Sequence, residues 1–388
     1  MSTYERVPFL VVFPDTSSSR DVYGGTGDIV ALEGHLLKPD TPSDTVIVMM
    51  HPIGGGSYLP MTVALAKAGH HVVYCNSRYR GADHALIMEK VTEDLAACVR
   101  HVRDRFGYAK VVLAGWSGGG ALSAFYQAEA EKPTVTATPT GEGPDLTALD
   151  LVPADAVMFL AAHVSRHRTL TEWMDASILD EHDPTVRDPS LDLYGTAVAP
   201  PYDQAFLDRY RDAQIARNRR ITAWVRAKLA AMEAAGRGDE EFGFVVHGTM
   251  ADPRWLDPAV DPNDREPGVC YLGDPRIVNN GPVGLARFTT LRSWLSQWSY
   301  DDARADIVDC APAISVPILV IGNSADDACT PSHTERIHEA FGVVDKQLHT
   351  IAGATHYYAG PDQKDQLAEA VGIIDGWLTE RGFAGTGA

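Results

Sequence analysis

The chain has 388 residues, 45% of them hydrophobic and 22% charged, an ordinary composition for a soluble globular protein. Its length suffices for one large domain with an insertion, or for two domains. The formal net charge of -19 excludes nucleic acid and anionic membrane as expected partners, because both require basic patches.

Cysteine content and the amino-terminal segment indicate a cellular compartment. The cysteines are odd in number and widely scattered, unlike a disulfide framework or a zinc module. The first residues lack a basic region followed by a cleavage site, and no stretch is long enough for a transmembrane helix. We therefore expect a cytoplasmic protein. The five cysteines are Cys75, Cys98, Cys270, Cys310 and Cys329.

The first quarter of the chain predicts strands. A short apolar stretch within residues 1–13 predicts a first strand. The glycine-rich residues 24–28 lack the lysine of a phosphate loop and predict a turn before a strand over 29–37. Residues 45–50 and 71–75 are almost continuously apolar, which is typical of strands buried on both faces of a parallel sheet.

Helix and strand signals then alternate. Apolar residues recur at helical spacing from Val91 to Phe106, and Gly107 fits the end of this helix. A strand over 111–114 follows at once. This alternation predicts an α/β fold with a doubly wound, mostly parallel sheet and right-handed crossovers.

The most informative motif follows that strand. Ser117 lies at the centre of a Gly-x-Ser-x-Gly pentapeptide that ends at Gly119, and a helix-compatible segment comes next. Strand, sharp turn and helix are the order that a nucleophile elbow requires. The flanking glycines allow the tight turn, and the helix directs its positive end toward the site. We expect Ser117 to be a nucleophile.

The middle of the chain breaks the alternation. Residues 132–153 predict an exposed loop, and residues 155–162 predict a further core strand. From 164 to 306 the pattern is instead mainly helical, with a long helix predicted over 203–235. We expect a first core segment at 1–163, a cap insertion at 164–306 and a second core segment at 307–388.

The alternation returns in the last segment. It predicts a strand over 316–322, a helix over 332–341, a strand over 347–351 and a terminal helix over 362–380. A serine hydroxyl needs a base, and His356 lies in a small-residue loop just after the last strand. Position distinguishes it from the other 13 of the 14 histidines, since it follows both the serine and an acid candidate.

The acid candidates are adjacent. Asp326 and Asp327 follow the strand over 316–322, and only one of them is expected to reach the imidazole. Counting from the strand start favours Asp326, whereas counting back from Pro331 favours Asp327. We prefer Asp326, because the strand fixes one end while loop length varies.

An oxyanion hole requires two backbone N–H groups. Gly118 follows the nucleophile and should supply one. The loop after the third strand, beginning at His51-Pro52, should supply the other. Proline has no N–H, so Ile53 is the expected donor and Gly54 the alternative.

Together these residues resemble the α/β-hydrolase superfamily, in its serine-nucleophile, esterase- and lipase-like branch. The resemblance rests on the order Ser117, Asp326, His356, on the elbow and on the His-led loop, and covers about 7–162 and 316–380. Family members commonly have His-Gly where this chain has His51-Pro52, a departure that affects the oxyanion loop.

The resemblance implies an acyl-enzyme mechanism without a metal or organic cofactor. It favours hydrolysis of a carboxylic ester, and the large cap suggests a bulky or apolar small-molecule substrate. A C–C bond hydrolase of a dioxo acid, a peptidase, an acyltransferase and a ligand receptor on the same fold are the alternatives. The sequence does not decide the oligomeric state.

Overall fold

A twisted, mostly parallel sheet carries the fold. The computed structural model describes residues 3–15, 29–281, 287–360 and 362–384, so the turn predicted at 24–28 lies outside the described residues. The described strands are Tyr4–Pro14 (β1), Ile29–Pro39 (β2), Thr45–Met49 (β3), Val72–Cys75 (β4), Lys110–Ser117 (β5), Ala156–Ala162 (β6), Gly243–Val245 (β7), Phe288–Thr290 (β8), Ile318–Asn323 (β9) and Lys346–Ile351 (β10).

Helices cover both faces of this sheet and fill the insertion. The described helices are Pro60–Ala68 (α1), Met88–Asp104 (α2), Gly119–Glu131 (α3), Arg166–Trp173 (α4), Gln204–Ala234 (α5), Pro253–Leu256 (α6), Pro275–Asn280 (α7), Leu291–Ser293 (α8), Ile307–Cys310 (α9), Pro331–Ala340 (α10) and Lys364–Glu380 (α11). None of the helices within the described ranges combines the length and the apolar character needed to cross a bilayer.

The sheet order confirms the predicted fold class. Eight described strands pair in the order β1-β2-β4-β3-β5-β6-β9-β10. Pairing is antiparallel where β2 meets β1 and β4, and parallel from β4 to β10. Separate apolar clusters fill the space between the sheet and the helices on each face. The carboxyl ends of β3, β5, β9 and β10 therefore meet at one edge, where an open α/β sheet binds ligands.

Two kinds of element escaped the sequence analysis. Helix α1 was not predicted, because its residues are mainly apolar and lack the charged face that marks an amphipathic helix. The ribbon formed by β7 and β8 was also missed, since three residues per strand are too few to show a period of two.

A mainly helical insertion separates β6 from β9. It contains α4 to α9 and has its own apolar core, in which Trp255, Trp294 and Trp298 are fully buried. The 31-residue helix α5 matches the predicted 203–235 closely. The exact division of the chain at 164 and 306 stays a prediction.

Candidate active site

Ser117 occupies a strained turn between strand and helix. Its φ of 54° lies in the left-handed region, which costs a non-glycine residue free energy unless the surroundings hold it there. The pairing of β5 with β6 shifts register between Trp116 and Ser117, so the chain leaves the sheet at this residue. Its carbonyl accepts a hydrogen bond from the His163 N–H at 3.2 Å. This turn directs the side chain toward the cavity that it lines.

Close backbone packing explains the glycines around Ser117. A Cβ on Gly115 would lie 2.6 Å from the Gly120 Cα and 2.7 Å from the Gly119 carbonyl oxygen. A Cβ on Gly119 would lie 2.6 Å from the Met50 carbonyl oxygen. Glycine at both positions therefore lets β5, α3 and the loop after β3 approach one another.

His356 and Asp326 form a buried pair. The His356 Nδ1 lies 2.7 Å from the Asp326 Oδ2, and both side chains are almost fully buried. The other carboxylate oxygen, Oδ1, accepts hydrogen bonds from the Ala328 and Cys329 N–H groups, each at 2.8 Å. These bonds fix the carboxylate and, through it, the orientation of the imidazole.

Asp327 has different surroundings. Its backbone carbonyl accepts a hydrogen bond from the Trp255 indole at 2.7 Å, and no hydrogen bond links its carboxylate to His356. Burial, and then the charge of Asp326, raise the pKa of Asp327 to about 6. The geometry thus favours the carboxylate of Asp326 over its neighbour as the partner of His356.

The raised pKa of Asp327 predicts a pH-dependent cost to folding. The pKa of the Asp327 carboxyl is near 3.8 in the unfolded chain and about 6 in the folded one. Between these two pH values the carboxyl is ionised mainly in the unfolded chain, so the free energy of unfolding falls as the pH rises. For this partly exposed group we expect Asp327→Asn to become more stable than the wild type by about 2 kcal/mol between pH 4 and pH 7. Urea unfolding across that range measures the difference.

The control for this measurement is Asp362→Asn, which removes one negative charge from an exposed position outside the site. The difference between the two variants isolates the effect of burial at Asp327. A difference that stays constant from pH 4 to pH 7 would contradict the prediction.

Ser117 and His356 line the same cavity, but their side chains are not hydrogen-bonded to each other. The residues of this site are all described, and among them no hydrogen bond joins the Ser117 hydroxyl to the imidazole. The contact between nucleophile and base in this class of site is often long until substrate binds. Trp116 packs against the imidazole with ring centroids 4.8 Å apart and donates its indole N–H to the His356 carbonyl at 3.3 Å.

In the loop after β3, the two backbone N–H groups predicted as oxyanion donors form hydrogen bonds within the loop itself. The Ile53 N–H donates to the His51 Nδ1 at 3.3 Å, and the Gly54 N–H donates to the His51 carbonyl at 2.9 Å. Both candidate donors are therefore engaged within their own loop. Gly118, the first predicted donor, follows Ser117 and lines the cavity, and its role as a donor stays a prediction.

The cavity has a volume of about 210 Å³. Pockets for drug-sized ligands usually enclose about 300–1,000 Å³, so this volume favours a compact ligand over the bulky one expected from the insertion. Residues of the core and of the insertion both line it. The insertion contributes Arg166, Thr169, Leu170, Trp173 and Tyr271.

Arg166 is the main feature that the sequence analysis missed. Its guanidinium donates from Nε and Nη2 to the Gln297 Oε1, at 3.2 and 2.9 Å, and from Nη2 to Asp83 at 3.3 Å. The Nη1 atom makes no hydrogen bond within the described part of the chain and faces the site. Its only sequence signal was its place just after β6, which is shared by many residues without a function.

Three donor side chains here resemble a metal site. Single ligand atoms of Asp326, Cys329 and His356 lie within 4.8 Å of one another. A metal would need the Cys329 thiolate, but burial, and then the charges of Asp326 and Asp327, raise the pKa of this thiol. Its sulfur instead lies 3.4 Å from the His163 Nδ1. The group therefore fits a hydrogen-bonded core better than a metal site.

One known family of proteins matches part of the chain. A family model described as the alpha/beta hydrolase fold matches residues 45–137, which contain the strands and helices from β3 to α3. No curated protein matches the chain significantly.

Solved structures that a structural comparison matches to this chain include enzymes of several kinds. A siderophore hydrolase, EstB, from Aspergillus fumigatus is 13% identical, with a TM-score of 0.48, over 90% of this chain and 94% of its own. Est1E from Butyrivibrio proteoclasticus is 13% identical, with a TM-score of 0.47, over 91% and 95%. A monoacylglycerol lipase from Paleococcus ferrophilus is 15% identical, with a TM-score of 0.44, over 90% and 98%.

Proposed function

We propose that this chain is a serine hydrolase of the α/β-hydrolase fold that cleaves a carboxylic ester. Ser117 is the nucleophile, His356 the base and Asp326 the acid. One observation carries the proposal: a strained Ser117 lines the same cavity as a histidine whose far nitrogen is held by a buried carboxylate.

Acylation follows from these positions. The Ser117 oxygen attacks the ester carbonyl carbon while its proton passes to the His356 Nε2, and the carbonyl oxygen gains the negative charge. The Gly118 N–H and the amino-terminal end of α3 stabilise this charge. When the intermediate collapses, the alkoxide leaves with the proton from His356, and the acyl group stays on Ser117.

Deacylation uses the same groups again. Water gives a proton to the His356 Nε2 as its oxygen attacks the acyl carbon, and that proton returns to the Ser117 oxygen as the acid departs. Asp326 stabilises the imidazolium in both steps and fixes the protonated Nδ1. Trp116 and Trp173 form aromatic walls of the cavity that would lie beside the bound acyl group.

A fluorophosphonate probe tests the nucleophile independently of the natural substrate. We expect the wild type to be labelled at Ser117, and Ser117→Ala to abolish labelling, because only an activated serine displaces fluoride from phosphorus. Ser190→Ala, which removes an exposed hydroxyl in the insertion, should be labelled like the wild type. Mass spectrometry of the labelled peptide measures the site. Unlabelled wild-type protein would contradict the proposal and favour a receptor.

The bond that is cleaved needs a separate comparison. We expect p-nitrophenyl esters with short acyl chains to turn over faster than those with long chains, because the cavity is small. A preference for dioxo acids or anilides in the same panel would instead identify a C–C hydrolase or a peptidase.

A further inference from the structure

The side chain of His51 faces the position where the reaction's negative charge would develop. Its Nε2 lies 2.9 Å from the point that a Cβ on Gly118 would occupy, and this space is open only because residue 118 is glycine. Both residues line the same cavity as Ser117. Within the described residues the His51 Nε2 makes no hydrogen bond of its own.

The loop decides which ring nitrogen carries the proton. The Ile53 N–H donates to the Nδ1 of His51, so that nitrogen is the acceptor. Burial, and then the nearby Arg166 and His356, lower the pKa of His51 to about 3, so the ring is neutral at ordinary pH. A neutral imidazole with an acceptor at Nδ1 carries its hydrogen at Nε2, on the side that faces Gly118.

The distance between the Gly118 nitrogen and the His51 Nε2 allows one oxygen atom to accept a hydrogen bond from each. The N and Cβ atoms of any residue are about 2.5 Å apart, so the Gly118 nitrogen and the His51 Nε2 are at most about 5.4 Å apart. An oxygen that accepts bonds of about 2.9 Å from both can bridge that distance. The Arg166 Nη1 lies 3.6 Å from the same point and adds positive charge beside it.

We propose that His51 is a catalytic residue whose Nε2–H is the second donor of the oxyanion hole, together with the Gly118 N–H. This assignment rests on the proposed serine-hydrolase function. It takes over the role predicted for Ile53, whose N–H instead holds the His51 ring in place. Pro52 lies between the two residues that form that bond.

Two substitutions separate the catalytic role from the role in the loop. In His51→Asn the side-chain oxygen accepts the N–H two residues on, as in an Asx turn, and preserves the loop bond. The asparagine is too short to reach the space beside Gly118. In His51→Gln the amide nitrogen reaches about as far as the imidazole Nε2, whereas the loop bond is lost.

The test measures the rate of fluorophosphonate labelling and the kcat and KM for p-nitrophenyl acetate. We expect His51→Asn to lower labelling and kcat about 100- to 1,000-fold with KM almost unchanged, as for loss of one oxyanion donor. His51→Gln should retain activity within about tenfold, because a donor remains. Thermal unfolding of both variants checks that the fold persists.

The reverse order would overturn the inference. If His51→Asn is active and His51→Gln is not, the histidine serves only the loop; equal losses in both variants also contradict a donor role. Wild-type protein that the probe does not label would refute the serine hydrolase and this inference with it. A labelled wild type with a fully active His51→Asn would refute the inference alone.

Discussion

Asp326→Asn is expected to lower kcat/KM for p-nitrophenyl acetate by about 10³- to 10⁴-fold. The asparagine keeps the shape of the side chain, but its amide cannot stabilise an imidazolium and favours the wrong tautomer of His356. The 2.7 Å contact of Asp326 with the Nδ1 makes this the largest effect on turnover among the carboxylates of the site. Steady-state kinetics and the rate of fluorophosphonate labelling measure it.

The neighbouring carboxylate is the matched control. Asp327→Asn changes the same chemical group one residue away, where the structure gives its carboxylate no hydrogen bond to His356. We expect its kcat/KM to stay within about threefold of the wild type, because the catalytic groups are untouched. A severe loss in Asp327→Asn together with an active Asp326→Asn would reverse the assignment of the acid.

Gly115→Ala is expected to destabilise the protein by about 3 kcal/mol and to abolish labelling of Ser117. The new Cβ would lie 2.6 Å from the Gly120 Cα and 2.7 Å from the Gly119 carbonyl oxygen, and both of these atoms belong to backbone. The strand β5 and the helix α3 must therefore separate, and the turn that holds Ser117 is lost. Urea unfolding and probe labelling measure the two effects.

A second glycine provides the control. Gly372 lies in the exposed part of α11, and a Cβ there would meet no atom within 4 Å. Gly372→Ala should raise stability by about 0.5–1 kcal/mol, because alanine loses less backbone entropy in a helix. If Gly115→Ala is as stable as the wild type, β5 and α3 do not require their close approach.

Residues on strand ends were the easiest part of the site to predict. Ser117 and Asp326 each follow a nearly continuous apolar run that local sequence shows to be a buried strand. The order of strands and loops then places Ser117, Asp326 and His356 at one sheet edge before any contact is known. Their roles are still predictions, and the labelling and substitution experiments test them.

The cavity wall was harder to predict because it comes from the insertion. Arg166 and Trp173 lie seven residues apart on one face of α4, but that face is distant in sequence from Ser117, and Tyr271 comes from a later segment that no local pattern connects to it. The hydrogen bonds within the loop after β3 were also not predicted. Ile53 was predicted as the second oxyanion donor because it is the first residue after Pro52 with an N–H group. In the structure this N–H donates a hydrogen bond to the ring of His51.

The sequence alone determined the α/β class, the position of the sharp turn at Ser117 and the edge of the sheet where the candidate site lies. These properties depend on local patterns, namely apolar runs, glycines and chain order, which neighbouring residues impose on one another. Only the tertiary structure showed that Asp326, and not Asp327, contacts His356, that Arg166 lines the cavity and that the His51 Nε2 faces Gly118. Each of these three contacts joins segments that are distant in sequence. Local sequence patterns do not specify which atoms of such segments come within a few ångströms of one another.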